Sequence, residues 1–332
     1  MQIYIDESGG FQPSDPLQQQ PSRWCAVSAV IILDHKHDAA LRVLDSQRAS
    51  WRIREIKGRE LADHQLARMV TIALGHDVIF TSVLIDMSAH SRQVVADYQQ
   101  RFVRMFLGNS SECQPLFRKE VDNLAERMGR LSGQQFVQLQ CQFELVDSLL
   151  RSMLLVVAQR WPEELGNIRW VVDAKQRNRV TEFEHLWRTV LLPYIEQSTK
   201  IRPTVMIKEC DYRPLKRYCF MNEPGHPLNI KAVFEDLKFQ ASEEHLGLQL
   251  VDSLGSIMTR GANGRVERRA WANIGRLMYR RLYGTKEPAV YLMALDNAPD
   301  PNYTDDFLQF YDCVERKART PVFREPPARA RP

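Results

Sequence analysis

The chain has 332 residues, 44% of them hydrophobic and 26% charged, enough apolar material for one large domain or two smaller ones. With 45 Lys and Arg against 41 Asp and Glu the formal net charge is only +4, so any affinity for nucleic acid must come from where the charge sits. No uncharged run approaches the ~20 residues a membrane span needs; no apolar leader precedes the first strand; and six scattered cysteines without a Cys-x-x-Cys pair exclude a disulfide scaffold or zinc site, which leaves a soluble cytoplasmic protein.

Residues 1–10 read as a strand: Ile3 and Ile5 alternate with Tyr4 and Asp6, and the pattern ends in two adjacent carboxylates, Asp6 and Glu7, before Ser8-Gly9-Gly10. Carboxylates at the tip of a buried strand need compensation, either from a divalent metal ion or from turn amides. After a polar, proline-bearing loop at 11–23, residues 24–33 form an apolar run of the kind that makes a strand buried on both faces. Residues 34–38, with His35 and His37, are a solvated strand-to-helix turn and not a metal cluster, and helical spacing follows at 37–50 and again at 62–75.

Between those helices lies Glu55-Ile56-Lys57-Gly58. On an extended segment Glu55 and Lys57 project to one side. That pair is either a surface ion pair or a carboxylate for a metal beside an amine for a phosphate. A third strand is expected at 78–85, a helix at 94–107, a polar stretch of irregular pattern, read as an insertion, at about 108–135, and a long core helix at 136–161. A fourth strand, 168–173, again ends in a carboxylate, Asp173, with Lys175 just beyond. A helix at 181–197 and a fifth strand at 201–208 complete a right-handed crossover. Residues 245–260 make a nearly all-apolar helix cut by one polar stripe, Gln249, Asp252, Ser253 and Ser256. Asp252 there needs either a basic partner or a metal.

Tyr4-Ile5-Asp6-Glu7-Ser8-Gly9, Glu55-Ile56-Lys57-Gly58, Val171-Val172-Asp173 and Gly247-Leu248-Gln249-Leu250-Val251-Asp252 occur in an order that resembles an uncharacterised bacterial family, "domain of unknown function 3800", itself similar to the ribonuclease H-like superfamily. The resemblance runs from residue 1 to about 260. It implies an α/β fold with a ribonuclease H-like mixed sheet flanked by helices, forming a catalytic domain over 1–262; the helical insertion at about 108–135 and the basic helical extension over 263–332 depart from the family pattern. It also implies that Asp6, Asp173 and Asp252 converge as metal ligands, with Glu7 and Glu55 competing for the place of a fourth carboxylate and Lys57 beside them. Converging carboxylates repel, and all-oxygen ligands favour Mg²⁺ or Mn²⁺. A metal-dependent nuclease follows, acting on DNA or RNA; the alternative is a non-catalytic nucleic-acid-binding or defence-system partner on the same fold.

Between residues 259 and 286 there are eight basic side chains and one acidic, Glu267. Wound as a helix from about 265 to 283, Trp271, Ile274, Met278 and Leu282 form an apolar seam and Arg265, Arg269, Arg276 and Arg280 the opposite face. That face is either solvated or a track for a polyanion, and with Lys175 and Gln249 it makes the expected nucleic-acid contact. A short strand or helical turn is expected at 291–295, and a disordered tail at 324–332.

Overall fold

The computed structural model describes residues 1–14, 23–110, 115–177, 181–201, 213–220, 227–281, 288–296, 298 and 303–321. In chain order these form β1 (Gln2–Ser8), β2 (Trp24–Ile32), α1 (Asp34–Ser50), α2 (Asp63–Gly75), β3 (Ile79–Asp86), α3 (Arg92–Ser110), α4 (Pro115–Gly129), α5 (Gly133–Ser148) and α6 (Leu154–Arg160). They continue with β4 (Arg169–Asp173), α7 (Glu182–Leu186), α8 (Leu192–Ile201), α9 (Ile230–Val233), β5 (Lys238–Gln240), α10 (Leu246–Ala262), α11 (Arg268–Trp271), β6 (Val290–Met293) and α12 (Asp305–Lys317). A π-helical turn joins α5 to α6, and another joins α7 to α8, so each pair is one long helix.

The six strands make one mixed sheet in the order β5-β4-β1-β2-β3-β6. β2 runs antiparallel to both neighbours, whereas β4 is parallel to β1, β5 to β4, and β6 to β3. Strand alternation divides the core into two layers. Ile3 and Ile5, with Cys25, Val27, Ala29 and Ile31, face α3 to α8. Tyr4, with Ala26, Val30 and Ile32, faces α1, α2, α10, α11 and α12. A sheet covered on both sides accounts for strands as apolar as β2, which is buried along its whole length.

α10 is the innermost helix of its layer. A β-carbon at Gly247 would meet the Tyr4 ring at 2.3 Å, and one at Gly255 would meet Ser8 Oγ at 2.9 Å. The helix therefore lies along β1 in the same direction, the eight steps from 247 to 255 spanning the four from Tyr4 to Ser8, about 12 Å against about 13 Å.

Several expectations need correction. The polar stretch 108–135 holds α4, whose Leu124, Ala125 and Met128 are buried, the leucine and methionine in the core of the α3–α8 layer, so it is part of the core and not a cover over it. Lys238–Gln240, not foreseen, is the strand beside β4; the strand expected at 201–208 lies, but for Ile201 at the end of α8, outside the described residues. The helix expected at 265–283 is two short pieces, α11 and a 3-10 turn, Ile274–Leu277, because Gly275 packs so close to α12 that a β-carbon would meet the Val314 carbonyl oxygen at 2.2 Å. The chain then runs extended, Arg280 N–H bonding the Arg319 carbonyl at 2.8 Å. A boundary at residue 262 has no counterpart, since β6 extends the sheet and α11 and α12 complete one of its two cores. Leu282 and the tail 324–332 lie outside the described residues.

The fit of α10 on β1 sets an expected outcome. Gly247→Ala should destabilise the protein by roughly 1–3 kcal/mol, because neither the ring nor the helix can yield without repacking. Gly75→Ala, with nothing within 4 Å of its new methyl, should change stability by no more than about 0.5 kcal/mol in urea melts. Equal effects at the two positions would contradict this packing.

Candidate functional site

Asp6 belongs to the face of β1 that α10 covers, between Tyr4 and Ser8. The β1–β4 register places Ile5 against Val172, so one step further on the parallel strands Asp6 stands beside Asp173. Both lie where open α/β sheets place their ligand sites, at the carboxyl ends of strands. Asp252 lies on α10 midway between the two glycines, near the level of Asp6.

The electrostatics agree with that placement. Burial raises the Asp6 carboxyl well above the usual aspartate range, and the neighbouring charges of Asp173, Asp252 and Glu7 raise it further, against a smaller opposing pull from Lys175. Asp173 is pushed up to about 6, chiefly by burial, with Glu7 and Asp252 adding while Lys175 and the Ser242 backbone N–H pull it down. Asp252 is raised by burial and by Glu55, and is eased by the Gly58 N–H, Arg59 and Lys57. These carboxylates share one strained electrostatic neighbourhood. Among the described residues, however, no group of three or more His, Cys, Asp or Glu side chains is arranged to hold an ion as it stands.

The two competing carboxylates lie on different sides of the sheet. Glu7 follows Ile3 and Ile5 onto the opposite face, where it accepts hydrogen bonds from Gln142 of α5 and from Lys175. The Lys175 ammonium also lies 4.9 Å from the centre of the Phe183 ring. Burial works against its charge, but Glu7, Asp6 and Asp173 outweigh that and raise its pKa. Glu55 is on the Asp252 side: it accepts from Ser242 Oγ at 2.7 Å and pairs with Lys57 at 3.3 Å. Of the two, Glu55 is the better placed to join Asp252.

The polar stripe of α10 receives the loop that carries Glu55. Gln249 Oε1 accepts the Ile56 N–H at 2.9 Å, Asp252 Oδ2 accepts the Gly58 N–H at 2.8 Å, and Ile56 is buried. A β-carbon at Gly58 would meet the Asp252 carbonyl oxygen at 2.6 Å and Ser253 Cα at 2.8 Å, so only glycine lets the backbone come this close. Arg260 fastens the far end, donating to the carbonyls of Gly58 and Leu61 and pairing with Asp63. The partner expected for Asp252 is thus a backbone N–H, with Lys57 and Arg59 nearby.

Gln249 is corrected from nucleic-acid contact to structural tie, because it is buried and its Nε2 is also used, on the Ser242 carbonyl at 2.8 Å. Arg265, Arg269 and Arg276 are exposed as expected, although not on one helix, and Arg269 pairs with Glu267 at 2.9 Å. Arg280 is half-buried and holds α12 through Glu315 at 3.2 Å, which removes it from the stripe. Ser242 was missed, since nothing in its local sequence marks it and its role depends on Glu55 and Asp173, both far away along the chain. Comparison of the chain with models of protein families, with curated proteins and with solved structures finds no match.

The raised carboxyls fix the sign of a pH effect. Asp173 keeps its proton up to about 6 in the folded chain, whereas the unfolded chain releases it near the usual aspartate value, about 4. Between these values the folded state binds more protons, so this contribution to stability is lost as pH rises. In EDTA the melting temperature of Asp173→Asn should therefore gain on that of the wild type between about pH 4 and 6. A constant difference across that interval would contradict the crowding.

Proposed function

We propose that the chain is a metal-dependent nuclease on a ribonuclease H-like sheet, related to the "domain of unknown function 3800" family and hydrolysing phosphodiester bonds of DNA or RNA. The observation that carries the reading is the gathering of Asp6, Asp173 and Asp252 from β1, β4 and α10, three acids raising or sharing one another's proton affinity at the carboxyl end of a sheet. Such crowding is costly unless a cation relieves it. The mixed sheet with helices on both faces supports the fold assignment.

The donor set is all oxygen, which fits Mg²⁺ or Mn²⁺. When bound, a pair of such ions would supply an activated water and stabilise the leaving oxygen. Asp6 and Asp173 offer oxygens from neighbouring strands, Asp252 from the helix, and Glu55 from the loop packed on that helix. Lys57 and Arg59 stand at the open side of the acids, their side chains 38% and 78% exposed, where they can meet the phosphates of a substrate. Lys175 holds its charge against Glu7 behind the acids and limits their mutual repulsion. Arg265, Arg269 and Arg276 can follow a polyanion away from the centre.

The test is cleavage of single-stranded, duplex and hybrid substrates with Mg²⁺, Mn²⁺ or EDTA. Cleavage should require the cation and fall at least about 100-fold in Asp6→Asn and Asp252→Asn. Asp252→Asn should melt in EDTA no lower than wild type, because its amide oxygen can still accept the Gly58 N–H while its charge is gone. Cation-dependent binding without cleavage would instead make the chain a non-catalytic nucleic-acid-binding protein.

A further inference from the structure

Ser242 begins the 3-10 turn Ser242–Glu244 that links β5 to α10. Each of its polar groups holds a different part of the acidic centre. Its Oγ donates to Glu55 Oε1 at 2.7 Å. Its N–H faces the Asp173 carboxylate closely enough to pull that group's pKa down. Its carbonyl accepts from Gln249 Nε2 at 2.8 Å. Gln249 in turn accepts the Ile56 N–H at 2.9 Å, which closes a ring: Ser242 to Glu55, along the chain to Ile56, across to Gln249, and back to Ser242. Through one residue, its hydroxyl on Glu55 and its backbone toward Asp173 and Gln249, the Glu55 loop is thereby tied to β4 and to α10.

A surface turn has no need of such a ring. Glu55 sits next to Lys57, and that ion pair alone would draw its carboxylate toward the more exposed ammonium. The Ser242 hydroxyl holds the other oxygen, so Glu55 stays on the Asp252 side with its side chain only 11% exposed. Groups that fix the orientation of ligating carboxylates are worth about 10–100-fold in metal affinity.

We propose that Ser242 is a positioning residue, presetting the Glu55 and Asp173 carboxylates toward a shared divalent cation; this rests on the metal-dependent reading above. Ser242→Ala removes only the hydroxyl, and Ser242→Thr keeps it. Two measurements on the full chain decide: deuterium exchange of residues 54–62 in EDTA, and calorimetric titration with Mn²⁺. In Ser242→Ala, exchange at Ile56 and Gly58 should quicken and Mn²⁺ should bind about 10-fold more weakly, whereas Ser242→Thr should match wild type in both. In a Glu55→Gln background, Ser242→Ala should add no further loss of Mn²⁺ affinity, because the hydroxyl acts through Glu55. Unchanged exchange, or quickened exchange with unchanged Mn²⁺ affinity, overturns the assignment of Ser242 alone. A wild-type chain that binds no Mn²⁺ overturns the metal-dependent reading and this assignment together.

Discussion

The contact of α10 with β1 fixes nearly everything of functional interest here. Gly247 against the Tyr4 ring and Gly255 against the Ser8 and Ser28 side chains let the helix lie close on the strand, with no side chain of its own in the way at either end. Between those points Asp6 and Asp252 have little room to separate, and β4, one strand over, brings Asp173 to the same edge. The same helix receives the 55–58 loop on its polar stripe, with a third close glycine, Gly58. Three glycines thus set how near the four acids come, and the energy that permits this comes from the apolar surface buried by the rest of α10.

Charge is arranged about that contact with a clear sidedness. Behind the strand ends, Glu7, Lys175 and Gln142 form a satisfied group on the α5 side. In front, Lys57 is the more exposed and Glu55 is held on the Asp252 side, with Ser242 restraining the carboxylate. Two acids adjacent in sequence, Asp6 and Glu7, therefore do different work: Asp6 belongs to the crowded centre, and Glu7 anchors the lysine that tempers it. That division follows from strand alternation alone.

Much of this was legible in the residues. β1, β2, β3, β4 and α10 carry strong periodic or unbroken apolar patterns, and each lies within a residue or two of its expected place. The polar stripe of α10 was visible too, but not what it faced: Gln249 looked free for a substrate and instead holds backbone from a loop almost two hundred positions earlier. β5 is three residues with a weak pattern, stabilised only by its neighbour. The basic stretch after 263 misled because its seam residues Trp271, Ile274 and Met278 are indeed buried, yet Gly275 and the pairing of 278–280 with Arg319 replace a continuous helix. α12 buries Phe307, Phe310, Cys313 and Val314 at helical spacing, a signal that was present and passed over. Register and spacing can be read along a chain; the partners of a polar side chain are set by packing at a distance.

The central claim is that Asp6, Asp173 and Asp252 share divalent cations. Crystals soaked in Mn²⁺ test it most directly through the ion's anomalous scattering. One or two peaks are expected in contact with carboxylate oxygens of all three aspartates, with Glu55 as the adjoining acid and Glu7 still on Lys175. Peaks confined to other surfaces, with the three aspartates unchanged at millimolar Mn²⁺, would contradict it.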